Sequence, residues 1–151
     1  MTAIALHPKL QKLQDYWEER RRGREFPARS DIDPIDFRFA LGHVSLIDVL
    51  QAPLRFRYRL VATNLTKHLG YEMTGKTADQ IAEPQVRDYV LTRYCRAVEA
   101  RRPLTESGEE TLDDRVWRYQ AIYLPLSSDG NAIDMLLVGR INERPREVHR
   151  L

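Results

Sequence analysis

Cys95 is the only thiol in the chain, and nothing in the sequence activates it. A reactive thiolate needs a cation or a helix N-terminus to lower its pKa. Arg96 is adjacent, but no Arg, Lys or His stands at a predictable position beside the sulfur, so Cys95 reads as a buried, inert core residue. The histidines are scattered: His7, His43 and His149 form no pair with metal-ligand spacing. His68, on a short helix next to Glu72, is the one placed to approach a pocket. Tyr58, Tyr89 and Tyr94 could carry hydroxyls into a cavity, where each would need a partner from ligand, water or backbone; the plainer reading is core tyrosines. Asp48 and Asp134 lie near apolar runs, where a carboxylate could act as a base. No Gly-x-Ser-x-Gly elbow and no phosphate-cradling Gly loop occurs. Arginines gather twice, at Arg20, Arg21, Arg22 and Arg24 and at Arg55, Arg57 and Arg59. Both groups could grip phosphates or an acidic partner. The plainer readings are a solvated helix end and a charged edge strand.

Composition narrows the classes further. The net charge is +2, which argues against a general nucleic-acid binder, because such proteins carry a clear basic excess. A single cysteine cannot close an internal disulfide. No apolar run approaches membrane-spanning length, and Met1 to Leu6 is too short and uncharged for a signal peptide. The expected compartment is the cytoplasm, with no membrane and no nucleic-acid partner. At 151 residues the chain is long enough to bury one sizeable core, and no repeat or low-complexity linker divides it.

The elements that must position these residues follow from periodicity. Leu6, Leu10, Leu13 and Trp17 form one helical stripe, with Pro8 in the first turn. Asp33-Pro34 caps and opens a short helix that Gly42 ends. Val44–Leu50 is rich in β-formers, and in Arg55–Val61 the apolar Phe56, Tyr58 and Leu60 alternate with the arginines; both read as strands. Thr63 can cap a short helix that Gly70 stops, and Thr77 and Gln80 stand at capping-box spacing for another. Pro84 opens a long helix to Arg101 whose buried stripe is Val86, Val90, Tyr94 and Ala97. Leu104–Leu112 is a polar strand broken by Gly108, and Asp113-Asp114 is a turn. Val116–Leu126 and Ala132–Ile141 are strands joined by a hairpin at Ser127–Gly130, and the charged tail beyond frays. The strand Val116–Leu126 is apolar on both faces, with Trp117 and Tyr119 on one of them. The stripe Leu10, Leu13 and Trp17 is the expected cover for that aromatic face, from the same chain or from a second subunit in a homodimer.

A strand followed by two short helices with glycines between them builds a concave pocket beside a sheet. Asn64, Leu69-Gly70-Tyr71 and Thr74-Gly75 resemble the signature of PAS domains, the sensory and interaction modules of bacterial signalling. Tyr16-Trp17, Gly23-Arg24 with Pro27 and Arg29, Asp31-Ile32-Asp33-Pro34 and Leu124-Pro125-Leu126-Ser127 resemble a single-domain alphaproteobacterial PAS subfamily. The resemblance implies an α+β fold: a five-stranded antiparallel sheet with helices on one face, plus N-terminal helices, the last strand lying beside the first at the centre. It divides the chain into an N-terminal helical extension (1–43), a PAS-like domain (44–141) and a charged tail (142–151). It implies a stand-alone module that binds a small molecule or an unidentified signalling protein and passes its output to that protein. The pocket would be lined by Tyr58, Leu65, His68, Leu69, Tyr89 and Tyr94. No cofactor is named, because the long helix has no histidine for a haem iron and the cysteine motif of the flavin-binding subclass is missing. The alternative is a small isomerase or hydrolase using the same cavity.

Overall fold

In the computed structural model of the chain the described residues are 5–112, 114–143 and 146–147. Asp113 of the expected turn, His149 and most of the charged tail lie outside them. Helix α1 spans Pro8–Arg21 with Pro8 at its first position, and His7 Nδ1 accepts from the Lys9 N–H at 3.1 Å. Leu10, Leu13 and Trp17 are buried along it as their spacing requires. The arginines at its end are held by carboxylates: Arg20 pairs with Asp36 at 3.2 Å, Arg21 with Glu18 at 2.7 Å and Arg24 with Asp31 at 2.6 Å. Pro34–His43 is not one regular helix but a run of 3₁₀ turns, and Phe37 and Ala40 leave helical backbone angles inside it. Both side chains are buried there, Phe37 edge-on to Tyr16, so core packing overrides the local helical preference.

Strands β1 (Val44–Leu50), β2 (Arg55–Leu60), β3 (Leu104–Leu112), β4 (Arg115–Leu126) and β5 (Met135–Asn142) form one antiparallel sheet in the order β2-β1-β5-β4-β3. The last long strand therefore lies beside the first at the centre, as expected. Helices α2 (Thr63–Leu69) and α3 (Pro84–Ala100) lie between β2 and β3 in sequence, with a 3₁₀ turn at Ala78–Gln80 between them. Most element ends fall within a residue of the sequence reading, and the larger differences are in and around the last strands. β5 starts at Met135, not Ala132, because the Asp129 carboxylate accepts from the Asn131 and Ala132 N–H groups and from the Ser127 hydroxyl, which lengthens the connection. Within the tail expected to fray, Arg146–Glu147 forms a short β6 that pairs with Val116 and Arg115. Gly108 does not break β3, whose pairing with β4 runs unbroken from Leu104 to Leu112. A Cβ at Gly108 would stand 2.9 Å from the Tyr119 hydroxyl, so the glycine makes room for that ring.

The two sheet faces have different covers. On the outer face α1 packs against its own chain. A Cβ at Gly139 in β5 would lie 2.8 and 2.9 Å from the side-chain ends of Leu10 and Leu13, and only a glycine lets the helix sit that low. The Pro125 carbonyl lies beyond Tyr123, the last β4 residue paired with β3, and Trp17 Nε1–H donates to it at 2.7 Å. On the inner face α3 packs against Phe56, Tyr58 and Tyr123 through the Tyr94 ring. The expectation that α1 covers Trp117 and Tyr119 is therefore corrected. Tyr119 bonds to Tyr89 of α3, and Trp117, two residues away along β4, shares its face. Alternation separated the two faces correctly but could not say which helix each one meets.

The arginine stripe of β2 is more than a solvated edge. Asp48 of β1, itself buried, takes Arg59 at 3.1 Å and Arg57 at 3.3 Å, with Arg29 at 4.0 Å. The open edge of β2 is also covered: Gly75 N–H donates to the Tyr58 carbonyl at 2.8 Å and Tyr58 N–H to the Lys76 carbonyl at 2.9 Å. Among the described residues no helix is long and apolar enough to cross a membrane.

Candidate functional site

A cavity of about 320 Å³ opens between α2, α3 and the inner face of β4 and β5. Its floor comes from Ala121, Tyr123 and Val138, its far wall from Val90 and Tyr94 of α3, and its roof from Leu65 of α2. His68, Gln85 and Asn142, all exposed, stand at its mouth. The roof is the weakest wall. None of the residues of α2 is buried, so little apolar area ties this helix to the core. Thr63, the expected cap, is the first helical residue instead, with Ala62 in the cap position. The Ser45 hydroxyl of β1 accepts from the Ala62 N–H at 2.9 Å and anchors the helix start to the sheet. Gly70 ends α2 in the left-handed conformation, as expected of a glycine there. Tyr71 then ties the connection to α3: its hydroxyl donates to Glu83 at 2.7 Å and accepts from the Ala82 N–H at 3.0 Å.

Behind the cavity lies a polar cluster that the sequence did not announce. Glu106 of β3 accepts from the Tyr123 hydroxyl at 2.7 Å, from the Tyr89 hydroxyl at 3.1 Å and from Arg93 Nε at 3.3 Å. Arg93 also lies over the Tyr89 ring, and Arg140 of β5 lies over Tyr119. Deeper still, the Tyr58 and Tyr94 hydroxyls are 2.8 Å apart. Burial pushes the Tyr58 hydroxyl up to about 12, raises Tyr94 well above its ordinary value, and raises Tyr89 and Tyr123 too, with Tyr119 adding to Tyr89 and the Glu106 charge to Tyr123. These phenols stay protonated at neutral pH and act as hydrogen-bond donors and acceptors, not as bases.

Of the residues expected to line the pocket, Leu65, His68, Tyr89 and Tyr94 do so, while Tyr58 and Leu69 do not. Tyr58 is fully buried beneath Tyr94, and Leu69 packs against the core at the far end of α2. Cys95 is not in the lining either, and burial, with Glu99, pushes its thiol up rather than down. Neither Asp48 nor Asp134 reaches the cavity, and among the described residues its lining contains no Asp or Glu. An acid–base pair of carboxylates, the signature an enzyme reading would want, is not part of this lining.

His43 lines the cavity and was passed over in the sequence because it pairs with no other histidine. Its Nδ1 lies 2.7 Å from Asn64 Nδ2, and since an amide NH₂ only donates, the ring nitrogen accepts. The ring's other N–H is directed to the Arg140 carbonyl. Burial, with the positive charges of Lys9 and His7, holds the imidazole below its ordinary value of 6.5. The folded state therefore binds fewer protons than the unfolded state just below that value. Stability should fall as pH drops through about 6.5 and level off below the folded pKa. Chemical denaturation at pH 7.5 and 5.5 checks this: His43→Gln should lose less stability over the interval than the parent, and equal losses would show that His43 is not the linked group.

No curated protein matches the chain. Among solved structures it is similar to a light-oxygen-voltage domain studied with a flavin analogue, at 13% identity and a TM-score of 0.49, over 73% of this chain and 83% of that one. The family of the PAS domain matches residues 5–139, a span that takes in α1, most of the sheet and the cavity lining apart from Arg140 and Asn142. With that match and with the strand order β2-β1-β5-β4-β3, the chain belongs to the PAS domain family of sensory modules.

Proposed function

We propose that this PAS domain senses by binding a small molecule in the inner-face cavity and hands the change to a signalling partner in the bacterial cytoplasm. The cavity carries the reading: about 320 Å³, at the lower end of the range of ligand pockets, apolar within and fringed by hydrogen-bonding side chains. The loosely held α2 supplies the mechanism. A ligand that touches Leu65 and Asn64 gains contacts in the closed arrangement that it lacks in the open one, and that difference is what shifts a two-state equilibrium. The partner then reads the position of α2 and the connection after it.

Leu65→Trp tests the idea, because this half-buried roof residue can direct the larger ring into the cavity instead of the core. Native mass spectrometry of protein purified from its own host should show added small-molecule mass on the parent and none on Leu65→Trp. Amide exchange in 63–82 should be slower in the loaded parent. A parent that carries no added mass, and whose exchange is unchanged by extract from its host, would overturn the reading.

A further inference from the structure

The two arginine clusters of the chain are held in different ways. At the end of α1 each paired guanidinium has a carboxylate of its own: Arg20 has Asp36, Arg21 has Glu18 and Arg24 has Asp31. At β2 the arrangement is three to one. Arg29, Arg57 and Arg59 converge on Asp48, and among the described residues no other carboxylate pairs with them. Arg59 takes it with two nitrogens, Nε at 3.2 Å and Nη2 at 3.1 Å, and Arg57 reaches the same Oδ2 at 3.3 Å. One carboxylate offsets one positive charge, so the remaining cations repel one another until a second anion arrives. Asp48 is buried, while the three arginine side chains stay 42–48% exposed. A guanidinium has five N–H donors. Asp48 takes two from Arg59 and one from Arg57, which fixes the groups in place and leaves most of their donors for another acceptor.

The alternation of β2 sets the face. Phe56 and Tyr58 are buried on the inner side, so exposed Arg55 stands in one outer row with Arg57 and Arg59. Neighbours in that row are two residues, or roughly 6.8 Å, apart. β2 is an edge strand, and α1 lies over β4 and β5 instead. The backbone edge of β2 is closed by the connection after α2: Gly75 and Lys76 bond to Tyr58, and Thr77 bridges to Arg57. A further strand therefore cannot add there, and side chains are what this edge offers a partner. Four arginines against Asp48 leave an excess of three positive charges, in a chain whose net charge is +2. That excess falls short of the roughly 4–8 basic residues that an anionic membrane recruits, and the chain lacks the overall basic excess of a nucleic-acid binder. Leu54, exposed beside Arg55, adds an apolar contact of the kind found with arginine in protein interfaces.

We propose that the outer face of β2 docks an acidic segment of the signalling partner, an extended chain whose alternate carboxylates meet Arg55, Arg57 and Arg59. This rests on the signalling reading above and names the partner's chemistry and its docking face, which is bonded to the connection after α2. Fluorescence anisotropy of the full chain with a labelled peptide bearing glutamate at alternate positions, and with its glutamine counterpart, reads the docking. The glutamate peptide should bind at least about tenfold more tightly than the glutamine one, through charge-assisted hydrogen bonds, and its affinity should fall as salt rises. Arg55→Gln/Arg57→Gln keeps the two-nitrogen contact of Arg59 with Asp48, and should weaken the glutamate peptide by at least about tenfold. Arg21→Gln/Arg22→Gln removes the same charge from the end of α1 and should change the affinity by less than about threefold. If the first variant does not fold, Arg55→Gln alone should still weaken the peptide by about threefold. Equal binding of the two peptides, binding of neither, or equal losses in the two arginine variants overturns the proposal. Tighter binding to phosphatidylserine vesicles or duplex DNA than to the glutamate peptide at the same salt assigns the row to a membrane or a nucleic acid and overturns it as well. The co-purification test does not involve this face, so a failure here and a failure of the cavity reading are told apart.

Discussion

Trp17→Ala is expected to lower the free energy of unfolding by about 3–5 kcal/mol. The side chain is 3% exposed, and its loss opens a large void on the outer face of the sheet. It also leaves the Pro125 carbonyl without the indole N–H that satisfies it. Leu13→Ala, at a fully buried position packed over Gly139, should cost about 2–5 kcal/mol for the cavity alone. Denaturant titration should show lower midpoints with unchanged slopes. Because α1 covers the sheet of its own chain, sedimentation of the two variants should give the parent's assembly mass under native conditions. Unchanged midpoints would mean that α1 does not contribute to the core. A folded variant that dissociates from a larger parent assembly would mean that α1 covers a neighbouring copy instead.

Glu106→Ala is the second large effect, expected at about 2–4 kcal/mol, from hydroxyls that each lose an acceptor at roughly 1–3 kcal/mol. Tyr123, 6% exposed, suffers most, while Tyr89 and Arg93 are half-buried and recover part of their loss from water. Tyr123→Phe removes one donor and leaves Glu106 with Tyr89 and Arg93, so it should cost only about 1 kcal/mol. Thermal and chemical denaturation of both variants measures the contrast. Equal losses would show that the carboxylate is not the hub of the cluster. A loss below that of Tyr123→Phe would show that solvent already satisfies these hydroxyls.

Much of the fold was legible because its signals are local. The spacing of Leu10, Leu13 and Trp17 made one helix stripe, and the alternation of Phe56, Tyr58 and Leu60 made one strand face. Gly70 marked the end of α2, and in the turn after it the Gln80 carboxamide accepts from the Thr77 N–H at 2.9 Å, half of the expected capping box. Where the reading failed locally, a distant partner had intervened. Ser45 held the start of α2 in place of Thr63, Asp129 delayed β5, and the burial of Phe37 broke a helix into 3₁₀ turns.

The candidate site was legible only in part for a related reason. Leu65, His68, Tyr89 and Tyr94 were found because they lie on the helices that flank any such pocket. Glu106, Arg140 and His43 were not. Glu106 sits in an acidic strand, where a charge ordinarily faces water, and its partners lie 13 to 17 residues away in sequence. The sequence by itself determined the order of the main helices and the five long strands, the two faces of β2 and β4 and the stripes on α1 and α3, because a period of two or of 3.6 residues depends on the backbone alone. The tertiary structure decided which face met which helix. It put α1 over Gly139 and away from Trp117, brought Glu106 beneath Tyr89 and Tyr123, and paired the Tyr94 hydroxyl with that of Tyr58, because strand register and helix docking are set by packing between segments far apart in the chain, and periodicity carries no information about distant partners.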